Sequence, residues 1–411
     1  MHPPTRAEKQ IRLPIGKALI MIRVLSMAIL AALPLCGQNP LVSRGFEHFY
    51  NLEYDQALSD FEAVLAQNPQ DANFHNHIAQ TVLYRAMFRA GALESELVTG
   101  ANPFLRRDKV NPTPADQKRF DDAISASLSL SQAALKSHPD DPRALYSLGV
   151  AYGLRANYNF LVRKAWMDAL KDATRSRKAH NRVTQLEPNN IDARLIPGVH
   201  DYVVGSLPFA YKVLGFLAGF HGDREEGIET LRLVAAKGDK NKYDAQILLS
   251  AIYRREHRAA EAVPLVEGLL KVFPRNYLLG FELAQMYADS GKPGPALATL
   301  RSMEDFKRSN APGYQHLPAE KIFYHEGNLQ FWYRDFTAAE QNLRKAAVKA
   351  HELDLNTGVL AWMRLGQTYD MLGRRGDAQA AYQEAIQLAP QSELARESKR
   401  YLASPYRRTQ S

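Results

Sequence analysis

The sequence predicts an all-α protein built as a solenoid of about eight helix pairs, which a capping helix closes at the C-terminal end. Three observations favour this fold. The chain is 45% hydrophobic but only 9% aromatic and is rich in alanine and leucine, a composition typical of helical proteins. Small and aromatic residues return in a fixed register along its second half. Prolines follow several apolar segments of helical period, where they end a helix.

Residues 1–37 predict an export signal. Basic residues up to Arg23 precede the apolar run VLSMAILAALPL at 24–35, and turn-forming residues follow it. The run has 12 residues, whereas a membrane span needs about 20. We therefore expect the chain to be exported to the periplasm or the cell envelope.

The end of this signal is open to three interpretations. Cleavage near Gly37 or Gln38 is preferred. Acylation of Cys36, the only cysteine, would make a lipoprotein, but Leu35 stands where a small residue is usual. An uncleaved N-terminal anchor is the third interpretation, and Met21 is an alternative start of the chain.

The net charge does not indicate nucleic-acid binding. The full sequence carries +8 at pH 7, but residues 1–23 alone carry +4, which leaves +4 for the rest. No long run of lysine and arginine with interleaved aromatic residues is present. We therefore expect no nucleic-acid partner.

Residues 38–240 predict an irregular array of helix pairs that begins directly after the export signal. Its packing positions are occupied by Gly45, Ala57, Phe61, Pro69, Gly149 and Tyr152. Three long inserts separate its helices, at 92–113, 159–165 and 207–222. The first insert contains prolines and glycine that predict a loop.

The segment 205–231 departs most from the regular pattern. Its apolar run is interrupted by Lys212 and several glycines, so it is too polar and too short to span a membrane. It is either a buried inserted helix or an amphipathic face that contacts a membrane or a partner.

Residues 241–402 predict a regular array and its closing helix, and the tail at 403–411 is expected to be disordered. The packing positions of the first two units are Leu249, Tyr253, Ala262, Tyr287 and Ala296. Tyr253 and Tyr287 are 34 positions apart, as are Ala262 and Ala296. The polar segment 392–402 would cover the last exposed apolar face, as stacked arrays require.

The most complete unit lies at 360–390. Its packing positions are Trp362, Leu365, Gly366, Tyr369, Ala378, Tyr382 and Pro390. Trp362, Leu365 and Tyr369 share one stripe of a helix. Gly366 and Ala378 leave room where two helices cross. The pattern W-x2-L-G-x2-Y, followed by A-x3-Y and P, resembles the tetratricopeptide repeat, here of the exported bacterial type. The resemblance implies a right-handed superhelix whose first helices line a concave face.

The same resemblance places nine candidate partner-binding residues on that concave face. They are Arg254, Arg255, Phe281, Gln285, Tyr324, Asn328, Trp332, Met363 and Gln367. Aromatic, amide and arginine side chains suit an extended peptide or a partner helix. Alternatively, Tyr324 and Trp332 pack against neighbouring helices.

No catalytic, cofactor-binding or metal-binding pattern is recognisable. His351 and Glu352 begin a helical zinc motif, but the second histidine is missing. His75 and His77 lie two positions apart, so their side chains diverge by about 200° on a helix. We therefore expect a protein that is not an enzyme and that uses no cofactor or metal.

Together these patterns predict an exported scaffold for protein–protein interaction in the cell envelope, which binds a peptide or a helix on its concave face. The alternative is a membrane-peripheral or enzyme-accessory protein that contacts lipid or a membrane complex through the 205–231 segment.

Overall fold

The computed structural model describes residues 39–93, 110–206 and 221–408, and over these ranges it contains 17 α-helices and no strand. The N-terminal helices are α1 (Pro40–Tyr50), α2 (Tyr54–Gln67), α3 (Ala72–Arg89), α4 (Pro114–Ser137), α5 (Pro142–Tyr158), α6 (Trp166–Leu186), α7 (Leu195–Gly205) and α8 (Arg224–Lys237). The C-terminal helices are α9 (Lys242–Arg255), α10 (Ala259–Val272), α11 (Tyr277–Asp289), α12 (Pro293–Arg308), α13 (Ala319–Trp332), α14 (Phe336–Ala347), α15 (Leu355–Met371), α16 (Arg375–Leu388) and α17 (Glu393–Ala403).

Successive helices pack as eight pairs, from α1 with α2 to α15 with α16, and α17 packs on the last pair. The predicted all-α solenoid with eight pairs and a capping helix is therefore confirmed. The export signal, most of the 92–113 insert and residues 207–220 lie outside the described residues.

Side-chain caps and prolines determine where several helices begin. Thr113 accepts a hydrogen bond from the Asp116 N–H at 3.1 Å, and Pro114 opens α4 because its missing N–H needs no partner there. In the same way Ser392 accepts from the Ala395 N–H at 3.0 Å and begins the capping helix. The predicted insert at 159–165 is a π-helical turn, Asn159–Arg163, between α5 and α6.

Glycine allows the two helices of a pair to approach closely. A methyl group added at Gly366 would lie 2.6 Å from the Tyr382 ring, and one added at Gly45 would lie 2.6 Å from the Phe61 ring. Neither distance is tolerable between carbon atoms, so the aromatic ring of the second helix occupies the space that glycine leaves on the first.

Most of the predicted packing residues are buried in the fold. Ala57, Ala262, Ala296 and Ala378 are completely buried. Also buried are Gly149, Leu249, Tyr253, Leu365 and Tyr369. Tyr152, Tyr287 and Trp362 are partly exposed, and Pro69 and Pro390 are exposed beyond the ends of α2 and α16.

Apolar clusters follow the stack of helices. One buried cluster connects α1 to α11 and includes Phe61 and Leu231. A second surrounds Leu300 and connects α11 to α13, and a third surrounds Tyr382 in the last two pairs. The protein therefore has an extended core, in which each pair buries its neighbour's apolar face.

Candidate binding surface

We use the term inner face for the side of α9, α11, α13 and α15 that carries the predicted partner-binding residues. The C-terminal ends of α1 and α3 contact its first half. The Tyr50 ring, which is 6% exposed, lies 5.6 Å from the Tyr243 ring and 4.8 Å from the Phe273 ring. Phe88 of α3 lies 6.2 Å from Tyr277 of α11. The N-terminal pairs thus fold onto the inner face of the middle of the array.

Hydrogen bonds and an ion pair fasten this N-terminal cover. The Asn276 side-chain amide donates to the Tyr50 carbonyl oxygen at 2.7 Å. The Arg275 guanidinium donates to Glu53 at 2.7 Å, and the Arg275 backbone N–H donates to the Asn51 side chain at 3.0 Å. These bonds join positions more than 220 residues apart.

The surroundings of the Glu53 carboxyl shift its pKa. Burial alone would raise its pKa, but hydrogen bonds from Arg275 and His48 outweigh burial, so the pKa of Glu53 lies below its ordinary value. The pKa of Arg275 is correspondingly raised, mainly by its hydrogen bond to Glu53. The pair therefore stabilises the cover in its ionised form.

Most of the predicted partner-binding residues are buried within the fold. The buried ones are Arg254, Phe281, Tyr324, Asn328, Met363 and Gln367. The Arg254 guanidinium donates to Asp289 at 3.2 Å, and the Phe281 ring stacks on His325 at 4.1 Å. Little of these side chains is exposed to a partner, and binding at them stays a prediction.

Three of the predicted residues are accessible. Trp332 is 44% exposed at the C-terminal end of α13. Arg255 and Gln285 are partly exposed; the Arg255 guanidinium lies 5.9 Å from the centre of the Tyr202 ring, and Gln285 donates to Asp289 at 2.7 Å. Trp332 is therefore the candidate with the largest free apolar surface.

A short extended segment, residues 404–408, covers the inner face near Trp332. Tyr406 packs 5.8 Å from the Phe331 ring and 5.3 Å from the Tyr401 ring. The Arg408 guanidinium lies 5.2 Å from the centre of the Trp332 ring. The sequence led us to expect disorder at 403–411, but residues 404–408 lie on the protein because these two side chains find aromatic partners.

The buried Asp370 carboxylate of α15 organises this contact. Its side chain is 1% exposed and accepts hydrogen bonds from Arg375 at 3.0 Å and from the Tyr382 hydroxyl at 2.8 Å. It also accepts the backbone N–H of Tyr406 at 2.8 Å. Burial, with the hydrogen bond to Asp370, raises the pKa of Tyr382 far above its ordinary value, so the hydroxyl stays a donor.

The repeat pattern also places Asp370 on this face, but sequence reasoning did not select three residues of this surface: Arg364, Tyr406 and Arg408. The Arg364 guanidinium lies 4.8 Å from the Trp332 ring centre and 4.7 Å from the Phe331 ring centre. The tail carries the signal SPYRRTQS, an aromatic residue followed by arginines, but such a short polar stretch has no helical period to place it.

Two buried polar side chains elsewhere, His180 and Asp192, make hydrogen bonds to the backbone. Burial lowers the pKa of His180 to about 4, and its Nδ1 lies 2.9 Å from the Ser176 carbonyl oxygen. Asp192 accepts the backbone N–H of Asn241 at 2.9 Å at the edge of a polar cavity of about 410 Å³. Across 39–93, 110–206 and 221–408, no group of three His, Cys, Asp or Glu residues could hold a metal ion.

The same ranges contain no helix that is both long enough and apolar enough to cross a lipid bilayer.

One family model matches the chain: the tetratricopeptide repeat matches residues 359–392, which comprise most of α15 and all of α16. The chain therefore carries a tetratricopeptide repeat in the unit whose packing residues are most complete. No curated protein sequence gives a match.

Several solved structures are similar over most of the chain. Yeast Tom70 has a TM-score of 0.39 and 12% identity, covering 89% of this chain and 94% of that one. The human IFIT1 dimer with m7Gppp-AAAA has a TM-score of 0.42 and 13% identity, covering 88% and 84%. A tetratricopeptide repeat protein from Parabacteroides merdae has a TM-score of 0.32 and 12% identity, covering 78% and 97%. These likenesses are too distant to indicate what this chain binds.

Proposed function

We propose that this chain is an exported scaffold of the cell envelope, without chemistry of its own, that binds an extended peptide on the inner face of α13 and α15. The observation that carries this proposal is the group formed by Trp332, Arg364 and Asp370. Trp332 offers an exposed aromatic surface, and Arg364 lies beside it. Asp370 offers a buried carboxylate that accepts a peptide N–H.

Each part of this group suits one feature of an extended peptide. An exposed indole flanked by a guanidinium is a typical anchor for a side chain at an interface. A carboxylate oxygen that accepts a backbone N–H fixes the register of an extended chain without selecting its sequence. The repeat fold supplies a rigid support, since α15 and α16 pack through Gly366 against Tyr382.

A phage-displayed library of random dodecapeptides, selected on the immobilised full chain, tests this function. We expect enriched peptides whose synthetic copies bind with a Kd in the micromolar range. Trp332→Ala should weaken binding about tenfold or more, because the peptide loses its aromatic anchor.

Phe306→Ala is the matched control, since Phe306 is an aromatic residue of α12 with 46% exposure, similar to that of Trp332. The proposal fails if the library yields no enriched sequence. It also fails if the peptides bind Trp332→Ala as well as they bind the Phe306→Ala control.

A further inference from the structure

We infer that the 404–408 segment is a displaceable internal ligand of this peptide-binding surface, and that the external partner carries an aromatic residue followed two positions later by an arginine. This inference rests on the proposed function, whose ligand class and regulation it specifies.

The segment is bound as an extended peptide would be. The backbone is extended at Ser404, where φ is −135° and ψ is 132°, and residues 405–408 form no helix or turn. Side chains of an extended chain alternate in direction, so positions 406 and 408 share one side. Tyr406 and Arg408 both contact the inner face, whereas Arg407 is exposed between them. The surface therefore recognises an aromatic residue, one unconstrained residue and an arginine.

The end of α17, which precedes the segment, is held in place by an arginine of α16. The Arg375 guanidinium donates to the carbonyl oxygens of Tyr401 and Leu402 at 2.8 and 2.7 Å, which satisfies the end of α17. The capping helix therefore stays in place when residues 404–408 leave the surface.

The contacts of the segment itself are few. Ser404, Pro405 and Arg407 are exposed, and Tyr406 and Arg408 are only partly buried. Nη1 of Arg408 is enclosed beside Trp332 without a hydrogen-bond partner among the described residues. The unsatisfied Nη1 and the small number of contacts mean that the segment can leave the surface at little cost to the fold.

The tethered segment competes through its high local concentration. A ligand on a short linker reaches an effective concentration in the millimolar range, so even a weak contact blocks an equivalent free peptide. Release of the segment should therefore increase the affinity of the surface for partners of the same chemistry.

A fluorescein-labelled octapeptide SPYRRTQS, the sequence of residues 404–411, tests this competition against the full chain. The double variant Tyr406→Ala, Arg408→Ala keeps the segment but removes its contacting side chains. We expect the peptide to bind this variant at least about tenfold more tightly than the wild type by fluorescence polarisation. The matched control, Arg407→Ala, changes an exposed side chain and should behave as the wild type.

Two further variants keep the outcome interpretable. Adding Trp332→Ala to the double variant should abolish octapeptide binding, and an octapeptide with alanine in place of tyrosine should not bind. Thermal unfolding of each variant, monitored by circular dichroism, should show a folded chain. Equal octapeptide binding to wild type and double variant, or no binding to a folded double variant, overturns the inference. So does a concentration-dependent dimer of the wild type in light scattering, because the segment would then seat on a second copy.

The two proposals fail in different ways. If library peptides bind through Trp332 but the octapeptide does not bind the double variant, the scaffold function stands and the internal ligand is disproved. If the octapeptide binds but no library sequence is enriched, the surface serves only the chain's own segment and the scaffold function is disproved.

Discussion

The inner face of this solenoid is covered in two places, and the two covers differ in kind. Over α9 and α11 the cover is formed by the C-terminal ends of α1 and α3: Tyr50 is buried against aromatic rings of the middle pairs, and Phe88 lies 6.2 Å from Tyr277. Over α13 and α15 the cover is the extended 404–408 segment, which contacts the face through Tyr406 and Arg408. The comparison suggests that one half of the face is permanently closed and the other is closed reversibly.

Truncation of Tyr50 should give the largest effect, because it removes the centre of the N-terminal cover. We expect Tyr50→Ala to lower the free energy of unfolding by about 3–5 kcal/mol, the cost of a cavity left by a buried aromatic residue. Urea unfolding followed by circular dichroism measures this loss. The control is Phe306→Ala, at a 46% exposed aromatic side chain. Equal losses in the two variants would show that the N-terminal cover is not a core contact.

A bulky residue in place of Gly366 should give the next largest loss of stability. This variant tests whether α15 and α16, which support the 404–408 segment, are packed rigidly. Gly366→Val would force a side chain into the Tyr382 ring and should cost about 1–3 kcal/mol through overpacking. Gly376→Ala is the matched control in the same pair, because an added methyl there meets nothing within 4 Å. A Gly366→Val chain as stable as this control would mean that α15 and α16 separate easily.

The contacts within pairs could be predicted from the sequence because they are local and repeat. Gly366 and Tyr382 are 16 positions apart, and the same glycine-to-aromatic contact returns in the first pair at Gly45 and Phe61. A fixed spacing on two short helices determines which side chains meet.

The covers could not be predicted, because no period relates the residues that form them. Arg275 meets Glu53 across 222 positions, and Asp370 meets the backbone of Tyr406 after the repeat pattern has ended. The family pattern placed Tyr324 and Phe281 on an open concave face, but it contains no information on which distant part of the chain folds onto that face. Phe281 is buried instead by its neighbours in the stack, since its ring lies on His325 of α13.

Loss of the Arg275–Glu53 pair should give a moderate, pH-dependent effect on the N-terminal cover. Arg275→Ala should cost about 1–2 kcal/mol at pH 7, since hydrogen bonds to a charged group are lost. The folded-state pKa of Glu53 is lowered, so its contribution is complete above its ordinary value of 4.5 and is lost as the pH falls through the folded value.

Urea unfolding of wild type and Glu53→Gln at several pH values measures this dependence. The difference in unfolding free energy between the two chains should be largest near pH 7 and should shrink below pH 4.5. A difference that does not change with pH would show that the pair does not stabilise the cover in its ionised form.

Truncation of Tyr406 should give the smallest effect and is the sharpest test of the comparison. Tyr406→Ala removes a partly exposed ring at the end of the fold, so we expect a loss below about 1 kcal/mol in urea unfolding. Hydrogen exchange should separate the two covers more clearly. The amide of residue 406, which donates to Asp370, should lose its protection, whereas the amides of α1 should keep theirs. A loss of stability as large as that of Tyr50→Ala would make the 404–408 segment part of the core. Both covers would then be permanent, and the 404–408 segment would not be a displaceable ligand.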